Sequence, residues 1–423
     1  MSYSATTPEP QVESARPHNA LALLFFMLTV AALLLRFCFT SELMNRVVNY
    51  TSENGGALYE KLHFGTWAAF ALLPVVLFSR PVFLRGDEIQ KFRDLVRFCA
   101  MLVVLIVFLI LTGRSGSSGT FIDTYLAAGV AGLVVLAQGA TARRLIGDVV
   151  LVVFILSAVI GVFEAATHVR ILPYDAHELS FRPTGLTDHP LTLGLICAAS
   201  IGFVALTRWP PWVKIAAIFV LFVGTAAAGA RFALLLAAAE VLLLLVTVPW
   251  GLSRAAERKA KFIALIATLV VGAALIAVLA AGGFLSRFFT EGVVDQNFYA
   301  RTDIYRIFEF VTWQEILFGA DLNAIMKIVN EKLNLPFIES TPVYLTFQLG
   351  AILALIFGGV VFWIFWRLLR HQARPAWIGT GVFLAAALSN NTLSTKTPVV
   401  AIFAVLLCCY LEAMPQKKAV AGR

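Results

Sequence analysis

Charge is scarce in this chain of 423 residues: 14% are Asp, Glu, Lys or Arg, against 60% that are hydrophobic. Soluble domains carry roughly a quarter of their residues as charges, so a water-solvated globule is excluded. Cysteine is scarcer still, with five residues. Cys38, Cys99, Cys197, Cys408 and Cys409 all fall in apolar stretches, and no Cys/His spacing matches a metal-ligand set. Buried small hydrophobes account for them better than disulfides or a metal site. No ten-residue segments alternate apolar with polar residues, which removes a transmembrane barrel. No internal repeat of the kind that marks many transporters is visible. Nucleotide motifs are lacking too. Gly224 and Gly229 have the spacing of a phosphate loop, but the Lys-Ser/Thr pair that such a loop needs is absent.

Long apolar runs are what the chain has instead. A hydrocarbon core of ~30 Å takes about 20 apolar residues as a helix. About twelve runs approach that length, at 20–39, 64–80, 97–112, 121–140, 147–165, 189–207, 213–229, 231–249, 262–282, 342–366, 376–390 and 396–411. With no water in the bilayer to satisfy backbone groups, they must be helices. The expected fold is an all-α polytopic membrane protein of about twelve transmembrane helices, with a membrane domain over 20–411 between short polar tails at 1–19 and 412–423. The first run reads as an anchor, since it is long and ends in Leu35-Arg36-Phe37 without a small-x-small cleavage site.

The basic residues are unevenly divided. Twenty of them, from Arg16 through the Arg80–Arg97 and Arg254–Lys261 clusters to Arg423, fall on one side with eight acids; the other side holds 13 basic and 16 acidic residues. The positive-inside rule places both termini in the cytoplasm. The net charge of +8 is then a matter of membrane topology, and nucleic acid is not an expected partner.

On the opposite, external side lies a polar insert at 283–341, with five basic and eight acidic residues. Ile304, Ile307, Phe308 and Val311 recur at helical spacing with Arg301 one turn earlier, and Leu322, Ile325, Met326, Val329 and Leu333 form a second amphipathic run. Two such helices, tethered to the membrane at both ends, should lie on the bilayer or roof a cavity. Thr341-Pro342 reads as the N-cap and first position of the next span, with Glu339 at the water boundary.

Four external features could carry chemistry. Arg182, Asp188 and His189 stand in the loop-to-helix stretch Arg182–Gly194, where capping explains Asp188 and Pro190 but not the arginine or the histidine. Arg231 closes a small-residue turn, Arg301 and Arg306 occupy the insert, and Glu339 precedes a helix start. Each has an ordinary alternative: a snorkelling arginine, a solvated helix face, a cap. Together they form a set of guanidinium groups and one carboxylate, suited to gripping phosphate or pyrophosphate oxygens without a metal. Glu240, at mid-depth in an apolar run, is a further candidate whose role is open.

Residues 20–411 resemble the O-antigen ligase and polymerase superfamily of bacterial envelope-polysaccharide enzymes, most of all its exopolysaccharide polymerase-type members. The resemblance is carried by the order Arg182…Gly185…His189-Pro190…Gly194, Ala230-Arg231-Phe232, Arg301-Thr302-Asp303-Ile304-Tyr305, Ile316-Leu317-Phe318-Gly319 and Glu339-Ser340-Thr341-Pro342 up to Gly350. It implies a GT-C-like helical membrane fold and an inverting, metal-independent glycosyl transfer at the outer face of the inner membrane, with no cofactor. It also implies a polyprenyl-pyrophosphate-linked oligosaccharide as donor, with other polysaccharide assembly or export proteins as further partners. Under it Arg182, Arg231, Arg301 and Arg306 bind substrate, and Glu339, Arg301, Arg231 and His189 are the catalytic candidates. Ligases resemble one another in a His-Asn-type pair ahead of the glycine, where this chain has Glu339-Ser340 before Gly350. That favours a polymerase over a ligase, with a flippase or a non-catalytic export subunit as the readings of other classes.

Overall fold

In a computed structural model of the protein, which describes residues 15–51, 60–79, 81–114, 118–174, 181–250, 253–281 and 302–411, every apolar run of the sequence except 342–366 overlaps a single helix. The first nine longer ones are α1 (Ala15–Cys38), α3 (Phe64–Ser79), α4 (Asp87–Leu111), α5 (Ser118–Leu136), α6 (Ala140–Thr167), α7 (Pro190–Leu206), α8 (Pro211–Ala227), α9 (Arg231–Thr247) and α10 (Arg254–Ala281), with a short α2 (Ser41–Asn45) after the first. The insert contributes a 3-10 turn at Ile304–Glu309, α11 (Trp313–Phe318) and α12 (Leu322–Leu333). Then come α13 (Thr341–Leu349), α14 (Ala351–Leu369), α15 (Arg374–Leu388) and α16 (Val399–Cys409). No strand occurs among the described residues.

Among the described residues, five helices, 20–38, α4, α5, α6 and α14, are long and apolar enough to cross a membrane, and α3, α7, α8 and α16 are shorter apolar helices. Leu111, Ile215, Leu355 and Phe362 stand exposed on the outside of the bundle, 61–80% accessible, as lipid-facing side chains would. The chain is a helical membrane protein. At the centre, α16 is buried along its whole length and α7 along most of it. Small residues allow that density. A methyl added to Gly224 would stand 2.6 Å from the Ala158 side chain, and one added to Gly379 would stand 2.8 Å from the Ala199 carbonyl. Lipid gives no hydrophobic drive between helices, so close packing of this kind holds the bundle.

Three local expectations are revised. The run 342–366 is not one helix: it breaks at Gly350, between α13 and α14. Gly350 has a φ of +86°, and a methyl there would meet the Leu317 carbonyl oxygen at 2.5 Å. The end of α11 is nested in that break, tied by the Ala320 N–H donating to the Phe347 carbonyl at 2.8 Å and by Arg114 donating to the Phe318 carbonyl at 2.6 Å. The N-cap of α13 is Ser340, not Thr341, because Thr341 already has helical backbone and donates its N–H and hydroxyl to the Asn390 carbonyl. The N-cap of α7 is His189, not Asp188; Asp188 instead accepts from the Ser41 N–H at 2.6 Å, at the start of α2.

The two amphipathic runs of the insert do form an apolar unit. Ile304, Ile307, Ile325, Val329, Ile338, Val343 and Phe347 are buried against one another, so the insert shares a small core with the outer end of α13. The first run is a 3-10 turn and the separate α11, which Thr312 and Glu315 start with a reciprocal capping box, where the spacing suggested one longer helix. The insert residues 283–301 lie outside the described residues.

Candidate functional site

Hydrogen bonds between helix ends gather one end of the bundle. Ser41 meets Asp188, His63 meets Asp123, Thr124 accepts from Thr397, Arg182 meets Ala228, and Thr341 meets Asn390. The other end is held by ion pairs, Arg367 with Asp94 at 2.6 Å and Arg143 with Glu88. The described candidates Arg182, Asp188, His189, Arg231 and Glu339 therefore share the first end, and the ion-paired Arg143 and Arg367 share the second.

Glu164, near the end of α6 and fully buried, organises the first end. One carboxylate oxygen accepts from the Thr184 and Gly185 N–H groups, both at 2.8 Å, and the other accepts from Ile171 at 2.9 Å. A carboxylate collecting three amides pins both edges of the 171–185 loop. Gly185 sits tight against α6, with a φ of +55° and a methyl's distance of 2.5 Å to the Ser157 carbonyl, so no other residue fits there without strain. Arg170 lies over the rings of Tyr174 and Phe181, 4.5 and 4.8 Å from their centroids, and donates to the Arg182 carbonyl at 2.9 and 3.2 Å.

Arg182 reaches from this loop to the neighbouring hairpin. Its Nε and Nη2 donate to the Ala228 carbonyl at 3.3 and 3.2 Å, capping the C-terminal end of α8. Three residues on, Arg231 is the first residue of α9 and is half-buried. A cation at a helix N-terminus opposes the macrodipole, at a cost of about 0.3–1 kcal/mol. An anion bound at that turn would offset the cost. Two guanidinium groups thus belong to one small-residue turn.

His189 begins α7 beside them. Its Nδ1 accepts from the Leu191 N–H at 3.1 Å, and its ring meets Tyr174 edge-on at 5.9 Å. Burial, then the positive charges of Arg182 and Arg170, pushes the imidazole down to about 4, so it is neutral at pH 7.

Glu339 sits where the insert joins the bundle. It is half-buried between Ile338, which belongs to the insert's core, and Ser340, whose hydroxyl lies 3.3 Å from the Tyr305 hydroxyl. The Thr341–Asn390 bonds dock this joint on the end of α15. Helices α7 and α15 touch at Gly202 with Pro375 and at Ala199 with Gly379. From Ala199 back to His189, and from Gly379 on to Asn390, each helix runs about 15 Å, so the two ends reach a similar level. Arg306 does not join them. It is exposed, on the side of the 3-10 turn away from the buried Ile304 and Ile307. Arg301 lies outside the described residues.

A second polar cluster on this end has no counterpart among the residues singled out from the sequence. A π-helical stretch at Phe121–Leu126 turns Asp123 inward, where it accepts from the Tyr50 hydroxyl at 2.7 Å and from the His63 N–H at 3.1 Å. Arg36 donates to the Asp123 carbonyl, and Lys396 lies 4.5 Å over the Tyr50 ring while donating to the Tyr50 and Lys61 carbonyls. Acids inside apolar runs would have pointed to both Asp123 and Glu164. Glu240, fully buried in α9, packs its carboxylate on Gly202 of α7, well below the cluster at the helix ends.

The described residues contain no group of three or more His, Cys, Asp or Glu side chains placed to hold a metal ion. No family model, no curated protein and no solved structure matches the chain.

Proposed function

We propose that this protein is an integral-membrane glycosyltransferase that polymerises polyprenyl-pyrophosphate-linked oligosaccharide repeat units at the periplasmic face of a bacterial inner membrane. The chain crosses the bilayer about twelve times with both termini in the cytoplasm, and the insert forms an external lid. The observation that carries this reading is the pair Arg182 and Arg231 at one small-residue turn, with Arg231 placed where a helix tolerates a cation least and an anion best.

In the proposed reaction, a hydroxyl of the acceptor repeat unit attacks the anomeric carbon of the donor glycan from the face opposite the pyrophosphate. The anomeric C–O bond to pyrophosphate breaks, the polyprenyl pyrophosphate leaves with the bonding electrons, and the new glycosidic bond has inverted configuration. Glu339 takes the proton of the attacking hydroxyl, a role worth roughly 10²–10⁴-fold in rate. Arg182, Arg231 and Arg301 hold the pyrophosphate and the charge that develops on it, typically about 3–4 kcal/mol per well-aimed donor. Glu339 stands on the lid joint and Arg182 and Arg231 on the bundle, so lid docking through Thr341 and Asn390 brings acceptor activation to the donor.

Arg182→Ala and Arg231→Ala, each made in cells that assemble the polysaccharide, should shorten the polymer and cut its yield at least tenfold at unchanged protein level. Normal length and yield in both would refute the assignment. A ligase is separated by what accumulates when the protein is removed: single lipid-linked repeat units for a polymerase, finished lipid-linked polymer for a ligase.

A further inference from the structure

Two histidines at this end of the bundle use the same nitrogen in the same way. His63 Nδ1 accepts from the Gly65 N–H at 3.0 Å, as His189 Nδ1 accepts from the Leu191 N–H at 3.1 Å. A nitrogen that accepts carries no proton, so in each neutral ring the proton is on Nε2. The rings differ in what Nε2 does. His63 Nε2 donates to the Phe39 carbonyl at 2.6 Å, which completes a structural link. No residue among those described accepts from His189 Nε2.

We infer that His189 offers its Nε2–H to a phosphate oxygen of the lipid-linked donor, as a neutral hydrogen-bond donor and not as a proton acceptor. The inference rests on assigning Arg182 and Arg231 to that pyrophosphate and adds a third, uncharged donor. The geometry leaves little else. A general base needs a free lone pair, but Nδ1 is occupied by Leu191 and Nε2 bears the hydrogen. A general acid would need the ring charged beside two guanidinium groups, Arg182 and Arg170, which disfavour that form. Tyr174, against the ring edge, is an aromatic wall and not a proton partner. A neutral N–H can approach pyrophosphate next to arginines without adding a third positive charge to their mutual repulsion, and its direction is fixed by the cap that Nδ1 makes.

Two substitutions separate the cap from the donor. The side-chain oxygen of asparagine falls where Nδ1 stands, so His189→Asn keeps the bond to Leu191 and loses the Nε2 donor. The side-chain amide of glutamine reaches the Nε2 position, so His189→Gln keeps the donor and loses the cap. Binding of geranylgeranyl pyrophosphate to the full chain in lipid nanodiscs, together with its thermal midpoint, reads both. His189→Asn should bind about 10- to 100-fold more weakly with an unchanged midpoint, the range of one hydrogen bond to a charged group. His189→Gln should bind within threefold of the parent with a lowered midpoint. Parental affinity in His189→Asn overturns the inference, and so does equal loss of affinity in both variants. Arg182→Ala is the control for the underlying assignment: if it binds as the parent does, the pyrophosphate site is elsewhere. If Arg182→Ala loses binding and His189→Asn does not, only the role of His189 falls.

Discussion

Replacing Glu164 tests whether one buried carboxylate holds the loop that carries Arg182. In Glu164→Ala the N–H groups of Thr184, Gly185 and Ile171 lose their acceptor, and the first two belong to buried residues. A buried amide left unpaired costs about 1–3 kcal/mol, so the two together cost roughly 2–6 kcal/mol before relaxation. Against a net stability of about 5–15 kcal/mol for a folded domain, that is enough to release the loop while the bundle remains folded. The loop edge at Thr184–Gly185 packs on Ser157 and Glu164 of α6 and touches Leu193 of α7. Hydrogen exchange followed by mass spectrometry in nanodiscs reads the effect peptide by peptide. Peptides over 181–189 should exchange at least 30-fold faster in Glu164→Ala, peptides over 195–204 in the centre of α7 should not change, and the 228–231 turn should loosen because Arg182 no longer caps Ala228. Glu164→Gln should fall between, since an amide offers one accepting oxygen where the carboxylate uses two. Unchanged exchange over 181–189 in Glu164→Ala would refute the reasoning, and so would a loss of protection spread evenly over the bundle.

Other perturbations follow from the same packing. Gly350→Ala places a methyl 2.5 Å from the Leu317 carbonyl at a φ of +86°, so limited proteolysis should cut the 302–340 region at least tenfold faster than in the parent. Ile325→Ala opens the insert's core and should cost about 2–4 kcal/mol of local stability, read as faster exchange over 304–309 and 322–333 with the apolar helices unaffected. His63 and His189 are pushed down to about 3 and about 4, chiefly by burial, while an unfolded histidine titrates near 6.5. Between those values the unfolded chain binds more protons than the folded one, so stability should decline as pH falls from about 6.5 toward 4. The thermal midpoint should drop across that window, and less steeply in His189→Asn; an equal slope in the variant contradicts the burial of that ring.

Much of the architecture was legible because bilayer physics is one-dimensional. Runs of about 20 apolar residues must be helices, and each run but 342–366, which is divided between two, overlaps a single one. The apolar stripes at Ile304–Ile307 and Leu322–Leu333 likewise mark buried faces. The break at Gly350 was not legible, because its cause is the Leu317 and Phe318 backbone arriving from thirty residues upstream. Asp188 looked like a cap from its own neighbours and instead bonds Ser41, which is 147 residues away in sequence. Arg182 and Arg231 were visible as unexplained cations, but the tie through Ala228 depends on how one loop lies on another hairpin. Glu164 and Asp123 were hidden by reading their runs only for hydropathy, which averages a single acid away.

The central claim is that the turn bearing Arg231, with Arg182 beside it, receives the pyrophosphate of a lipid-linked glycan. A cryo-electron microscopy structure of the protein in nanodiscs with a bound polyprenyl pyrophosphate tests it most directly. The account expects both phosphates at the 228–231 turn, within hydrogen-bond distance of the Arg182 and Arg231 guanidinium groups, with the polyprenyl chain leaving sideways into the bilayer. A pyrophosphate seated elsewhere, with neither guanidinium touching it, would contradict it.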